Sequence, residues 1–187
     1  MTEQFRNFYG NWLGKADAYN GNTLSNHFDK FTSLYVVYNS LYMEVTTELM
    51  KNGSNVTHNF KDKTAATEYV MRYLKPTFYH ENLLNDEQSI NDLAEICTII
   101  DQELFHIILD WGIPQRIRDL QLLDSLRSDN TNKQVRAVLS LFYYIRCNLF
   151  HGHKGFEDRQ SLLLIPVNHL LRKTIEITYN KLNRVQL

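Results

Sequence analysis

Proline and glycine are scarce, three and seven in 187 residues. That is too few for a chain of many short strands and tight turns, and the scarcity points to helices. Cysteine is scarcer still. Cys97 and Cys147 fall on separate predicted helices without metal-ligand spacing, which excludes a disulfide scaffold and argues for a reducing, cytoplasmic setting. No apolar run approaches the roughly 20 residues of a membrane-spanning helix; the longest lie near 141–145 and 162–167. The N-terminus shows no basic start followed by an apolar stretch, so no signal peptide and no membrane partner are expected. A phosphate-cradling glycine loop, a dinucleotide fingerprint and a serine-histidine-aspartate arrangement are also missing.

Net charge is nearly absent too, at −1, but it hides an asymmetry. Residues 1–111 hold 8 Lys+Arg against 15 Asp+Glu, a balance of −7, whereas residues 112–187 hold 12 against 6, a balance of +6. A basic half concentrates and steers a polyanion. The same pattern also serves to pair the two halves with each other, or two protomers, and both readings stand.

What is present is a core. Apolar residues make up 43% of the chain, enough for one domain over 1–187. The fold class is all-α, an antiparallel helical bundle of about six to seven helices, with core helices about 24–52, 90–111, 131–152 and 157–184. A short helix over 3–19 precedes them. In 24–52, Phe28, Phe31, Leu34, Tyr35, Tyr38, Leu41, Tyr42, Val45 and Leu49 form one broad stripe, with Asn39 beside it. That amide is expected to be buried and bonded to a neighbouring helix, or else it or Tyr42 approaches the later helix end that holds Arg146 and His151. A helix from 62 to 75 is stopped by Pro76, 79–89 reads as a loop, and Pro114 suits the first turn of a short helix to 127. His106, inside an apolar run, reads as a satisfied core residue. Pro166 should kink the last helix or mark a late start.

The chain is organised around 135–155. Val135, Val138, Leu139, Phe142, Ile145 and Leu149 recur at helical spacing, and Gly152 suits the left-handed position past a helix end. Arg146 thus sits in the last turns with His151 at the last helical position. A guanidinium and an imidazole so placed are a candidate phosphate clamp and proton carrier.

Arg146-Cys-Asn-Leu-Phe-His151-Gly resembles the R-x4-H motif of the HEPN superfamily, all-helical proteins that include metal-independent ribonuclease toxins. Asn148, the apolar Leu149-Phe150, Gly152 and Lys154 are similar to that family's usual surroundings. The stretch from Phe31 through Tyr38-Asn39 to Tyr42 resembles its aromatic Asn-x-x-Tyr helix. Where many members carry a polar residue directly after the arginine, this chain has Cys147.

The resemblance implies an endoribonuclease that leaves 2′,3′-cyclic phosphate ends, needs no cofactor, and serves a toxin–antitoxin or phage-defence system. Arg146 and His151 are the expected catalytic pair, with Asn148, His153 and Lys154 supporting substrate binding. Five residues turn about 140° around a helix, so one protomer presents the pair awkwardly. The family resolves this with a homodimer through the motif helices, and the same is implied here. Expected partners are a second copy, RNA and a possible cognate antitoxin. His151-Gly-His153 is a poor metal template, and no metal is expected. The alternative is a non-catalytic HEPN-like module binding a protein or nucleic acid, in which Arg146 pairs with a carboxylate and His151 bonds helix-end carbonyls.

Overall fold

A computed structural model of the chain describes residues 2–57, 61–150 and 160–184, Phe150 by its backbone alone. The described residues form the expected all-α bundle. Helix α1 (Glu3–Ala18) begins where Thr2 accepts from the Phe5 N–H at 3.2 Å, and α2 (Leu24–Lys51) where Thr23 accepts from Asn26 N–H at 3.3 Å. Each hydroxyl satisfies a donor that has no partner inside its helix.

The α2 stripe is the middle of the core, with Phe31, Leu34, Tyr38, Leu41, Tyr42 and Val45 fully buried. Each such side chain contributes about 2 kcal/mol by leaving water. Asn39, in contrast to expectation, is exposed, because it lies on the flank of the stripe that no helix covers.

Next come α3 (Asp62–Thr64), a π-helical turn (Ala65–Tyr69) and α4 (Val70–Leu74), which follow one another without a break. A π turn frees a carbonyl from the regular ladder, and the buried Tyr38 hydroxyl donates to Ala66 O. Pro76 ends this run as expected, after Lys75 takes a φ of 64°. It also starts a helix that the sequence reading missed. In place of a loop over 79–89 stand α5 (Pro76–Leu84), with Tyr79 and Leu83 buried one turn apart, and the beginning of α6 (Glu87–Asp101). Proline at the first helical position gives up only an N–H that would be orphaned anyway.

The helix expected over 90–111 stops ten residues early, at Asp101. Glu103 adopts a φ of 54°, and the bonds Leu104 N→Ile99 O (3.0 Å) and Glu103 N→Ile100 O (3.3 Å) close a Schellman end. Arg116 then covers the terminus, donating to Ile100 O at 2.5 Å and Asp101 O at 3.0 Å while pairing with Glu103 at 2.9 Å. Beyond it, β1 (Leu109–Asp110) and β2 (Ile113–Pro114) pair antiparallel, so Pro114 lies in the hairpin rather than in a helix. Trp111 and Gly112 make its two-residue turn at φ 49° and 81°, as a type I′ turn demands. Asp119 holds this excursion down, accepting from Ile108 N at 2.8 Å and facing His106 Nδ1 at 3.2 Å. His106 is thus bonded but only partly buried.

Helix α7 (Arg116–Leu126) is followed by α8 (Thr131–Phe150) and α9 (Gln160–Arg184), which runs through Pro166. Tyr9 stacks on Tyr179 at 3.6 Å, Asn168 Nδ2 donates to His27 O at 2.9 Å, and the buried Tyr79 and Thr174 hydroxyls meet at 2.7 Å. These contacts fasten α9 against α1, α2 and α5. His169 Nδ1 faces the buried Asp92 at 2.5 Å and ties α9 to α6. No described helix is long and apolar enough to cross a membrane.

Candidate functional site at the end of α8

Helix α8 begins where Asn130 Oδ1 accepts from Lys133 N–H at 3.1 Å. Its apolar face, from Val135 to Ile145, is buried, and this rotation of the helix sets Arg146 at the edge of the core with its side chain about 30% exposed. Arg146 Nη2 lies 3.9 Å from Asp62 Oδ2, on the first turn of α3. The other carboxylate oxygen, Oδ1, accepts from the Tyr42 hydroxyl at 2.6 Å. Burial and the bond to Asp62 push the Tyr42 pKa far above its ordinary value, so the hydroxyl stays a donor.

Tyr35, about two turns earlier on α2, is 4% exposed, and its hydroxyl has no hydrogen-bond partner among the described residues. Burial is the main cause of its strongly raised pKa, with Arg146 acting against it and Asp62 with it. Arg146 itself is held above the ordinary arginine value. Burial opposes this, but the Cys147 side chain, Tyr35 and Asp62 outweigh it. Burial and Cys147 push the Tyr143 hydroxyl up to about 12. Beside this group, Lys63 Nζ donates to the Tyr144 hydroxyl at 2.7 Å. The result is a fixed cation at the edge of the core, near the Tyr35 and Tyr42 side chains and facing the Asp62 carboxylate.

The other expected site residues divide. Asn148 sits two residues and about 200° around the helix from Arg146. It is 6% exposed, and its Nδ2 donates to Ile107 O at 2.7 Å, fastening the 102–115 excursion to α8. Its amide nitrogen is therefore engaged with the backbone rather than offered to a substrate. His151, His153 and Lys154 lie outside the described residues. Asp62, Lys63, Tyr35 and Tyr144 are additions that no local signal reveals, since Asp62 reaches Arg146 only through the tertiary fold.

The charge asymmetry has a structural outlet. Arg116, Arg127, Arg136, Arg146, Arg172 and Lys173 face Glu103, Asp101, Glu68, Asp62, Asp17 and Asp86 respectively. Much of the positive second half thus pairs with the negative first half. Among the described residues, no group of three His, Cys, Asp or Glu comes together as a metal site. Comparison with known proteins finds no matching family model, no matching curated protein and no matching solved structure.

Proposed function

We propose that the protein is a metal-independent endoribonuclease of the HEPN type, working as a homodimer in the cytoplasm in a toxin–antitoxin or phage-defence role. The observation that carries the reading is Arg146, a permanent cation at the end of α8 that is partly open to solvent and five residues from His151. Asp62 occupies it as an internal anion would, and Tyr42 already directs a donor to that anion. A phosphodiester displacing the carboxylate would meet a guanidinium fork and tyrosine hydroxyls.

In the reaction, the ribose 2′-oxygen loses its proton and attacks phosphorus. The bond from phosphorus to the 5′-oxygen breaks, and that oxygen takes a proton, leaving a 2′,3′-cyclic phosphate and a 5′-hydroxyl. Arg146 stabilises the crowded phosphate. His151 of one protomer takes the 2′-proton, and the partner's His151 supplies one to the leaving oxygen.

A second reading has its own support. Arg146 and Asn148 both have partners within the fold, as they would in a module that binds without cutting. Incubation of mixed cellular RNA in EDTA with wild type, Arg146→Ala and His151→Ala, each checked for dimerisation, separates the two. The nuclease reading expects cutting by wild type and a loss of at least 100-fold in both dimeric variants. Equal cutting by all three would rule out this site, and cutting by none would favour the module.

A further inference from the structure

Helices α7 and α8 turn matching stripes toward each other. On α7 these are Arg118, Gln121, Leu122 and Ser125; on α8 they are Lys133, Arg136, Ala137, Ser140 and Tyr144, each set at three- and four-residue steps along one face. Between them lies an open groove of about 520 Å³. Leu122 and Ala137 are buried and form its floor. Arg118, Lys133 and Arg136 provide positive charge on its walls, and among the described residues no aspartate or glutamate lines it. Arg136 leans out to Glu68 at 2.9 Å, an exposed pair that solvent screens. Arg118 and Lys133 form no ion pair among the described residues, although most arginines of this half do.

Its polar groups are of the kind that read nucleotides. Amides at Gln121 and Asn132 and the hydroxyl of Ser140 can both donate and accept, whereas Asn130 Oδ1 already accepts from Lys133 N–H and the Ser125 hydroxyl donates to Gln121 O. From Lys133 to Tyr144 the groove follows α8 for roughly 16 Å, longer than a single phosphate needs. At the Tyr144 end, Lys63 donates to the tyrosine hydroxyl, and its sequence neighbour Asp62 faces Arg146. Tyr144 and Arg146 lie two residues and about 200° apart around α8, so the groove and Arg146 occupy different faces of the helix, bridged by the consecutive Asp62 and Lys63.

We propose that the α7–α8 groove binds single-stranded RNA, with Arg118, Lys133 and Arg136 on the phosphodiester backbone and the amides on base edges and ribose. The choice of RNA rests on the ribonuclease reading; the anion chemistry rests on the groove itself. A row of spaced cations over an apolar floor suits a strand that lays down successive phosphates.

The test measures binding of a fluorescein-labelled 2′-O-methyl RNA 20-mer by the full chain across a salt series. This probe lacks the attacking hydroxyl, so binding is read without cleavage. Arg118→Glu with Lys133→Glu should weaken binding at least 10-fold and flatten the salt dependence by about 1.4 units of log–log slope, two phosphate contacts' worth for a single strand. Lys30→Glu with Lys51→Glu, the same charge change away from the groove, should alter binding less than 2-fold. The milder pair Arg118→Gln with Lys133→Gln should follow the reversal with a smaller loss, and melting curves confirm that all variants fold. Equal affinity in wild type and the groove variant, or equal loss in the control, would overturn the proposal. Displacement of the strand by adenosine monophosphate at matched nucleotide concentration would also overturn it, in favour of a free-nucleotide site. A wild type that binds through the groove yet never cuts unmodified RNA would leave the groove standing and remove only the nuclease.

Discussion

The Tyr35 hydroxyl is buried without a hydrogen-bond partner among the described residues, and such a group costs about 1–3 kcal/mol of desolvation. Its neighbours are Arg146 and Asp62, so the cost falls beside the proposed phosphate position, where unsatisfied groups recur in working sites. Tyr35→Phe should therefore stabilise the free protein by about 1 kcal/mol and lower RNA cleavage several-fold. Denaturant titration checks the first effect and a cleavage assay the second. A variant that is both less stable and fully active would show the hydroxyl to be structural.

Asp119 gives a second residue-scale expectation, set by pH. Burial raises its pKa, against opposing help from Ile108 N–H and His106. A raised folded pKa means that the carboxyl holds its proton more tightly in the native chain than in the unfolded one. Its contribution is full below the ordinary aspartate range and is lost as pH rises through the folded value. Wild-type stability measured relative to Asp119→Asn should thus decline from the ordinary aspartate range upward. A flat difference would contradict the burial argument.

At the scale of elements, the helices whose ends carry local signals were legible. Thr23 caps α2, which starts at Leu24 where the pattern placed it, and the polar residues before Thr131 precede α8 at the start expected for it. The misplaced ends were those made by distant residues. Nothing around Asp101 announces a stop, because the left-handed residue is Glu103 rather than glycine, and the covering donor, Arg116, comes from the start of α7. The apolar spacing through Ile107 and Ile108 continues past the true end because those residues are buried in the returning segment instead. Pro76 was read only as a stop, though it also opens α5. Arg116→Ala should then destabilise the protein by about 2 kcal/mol through its two lost charged hydrogen bonds. Arg116→Lys should recover little of this, because an ammonium lacks the planar fork. Thermal and denaturant unfolding would read both.

At the scale of the molecule, the bundle positions its chemistry by packing a single apolar face of α8. That face buries Val135 through Ile145, leaving Arg146 at the rim and the Lys133–Tyr144 stripe turned toward α7. Arg146 was legible from its motif, as was Tyr42 from the aromatic spacing of α2. Asp62 was not, since it reaches both only in the folded chain. Charge asymmetry between the halves pointed to pairing or to a polyanion, and the ion pairs of the described residues bear on the first. Five arginines of the second half pair with carboxylates of the first, while Arg118 and Lys133 line the α7–α8 groove.

In the proposed reaction, two copies of this chain cut RNA through Arg146 and His151 by attack of the 2′-hydroxyl. The most direct measurement is the chemistry of the ends produced in EDTA from a defined RNA strand. The expected products are 5′-hydroxyl fragments that a polynucleotide kinase labels without prior phosphatase treatment, each upstream partner ending in a 2′,3′-cyclic phosphate. Fragments bearing 5′-phosphates, or cutting that appears only when a divalent metal is restored, would contradict this reaction.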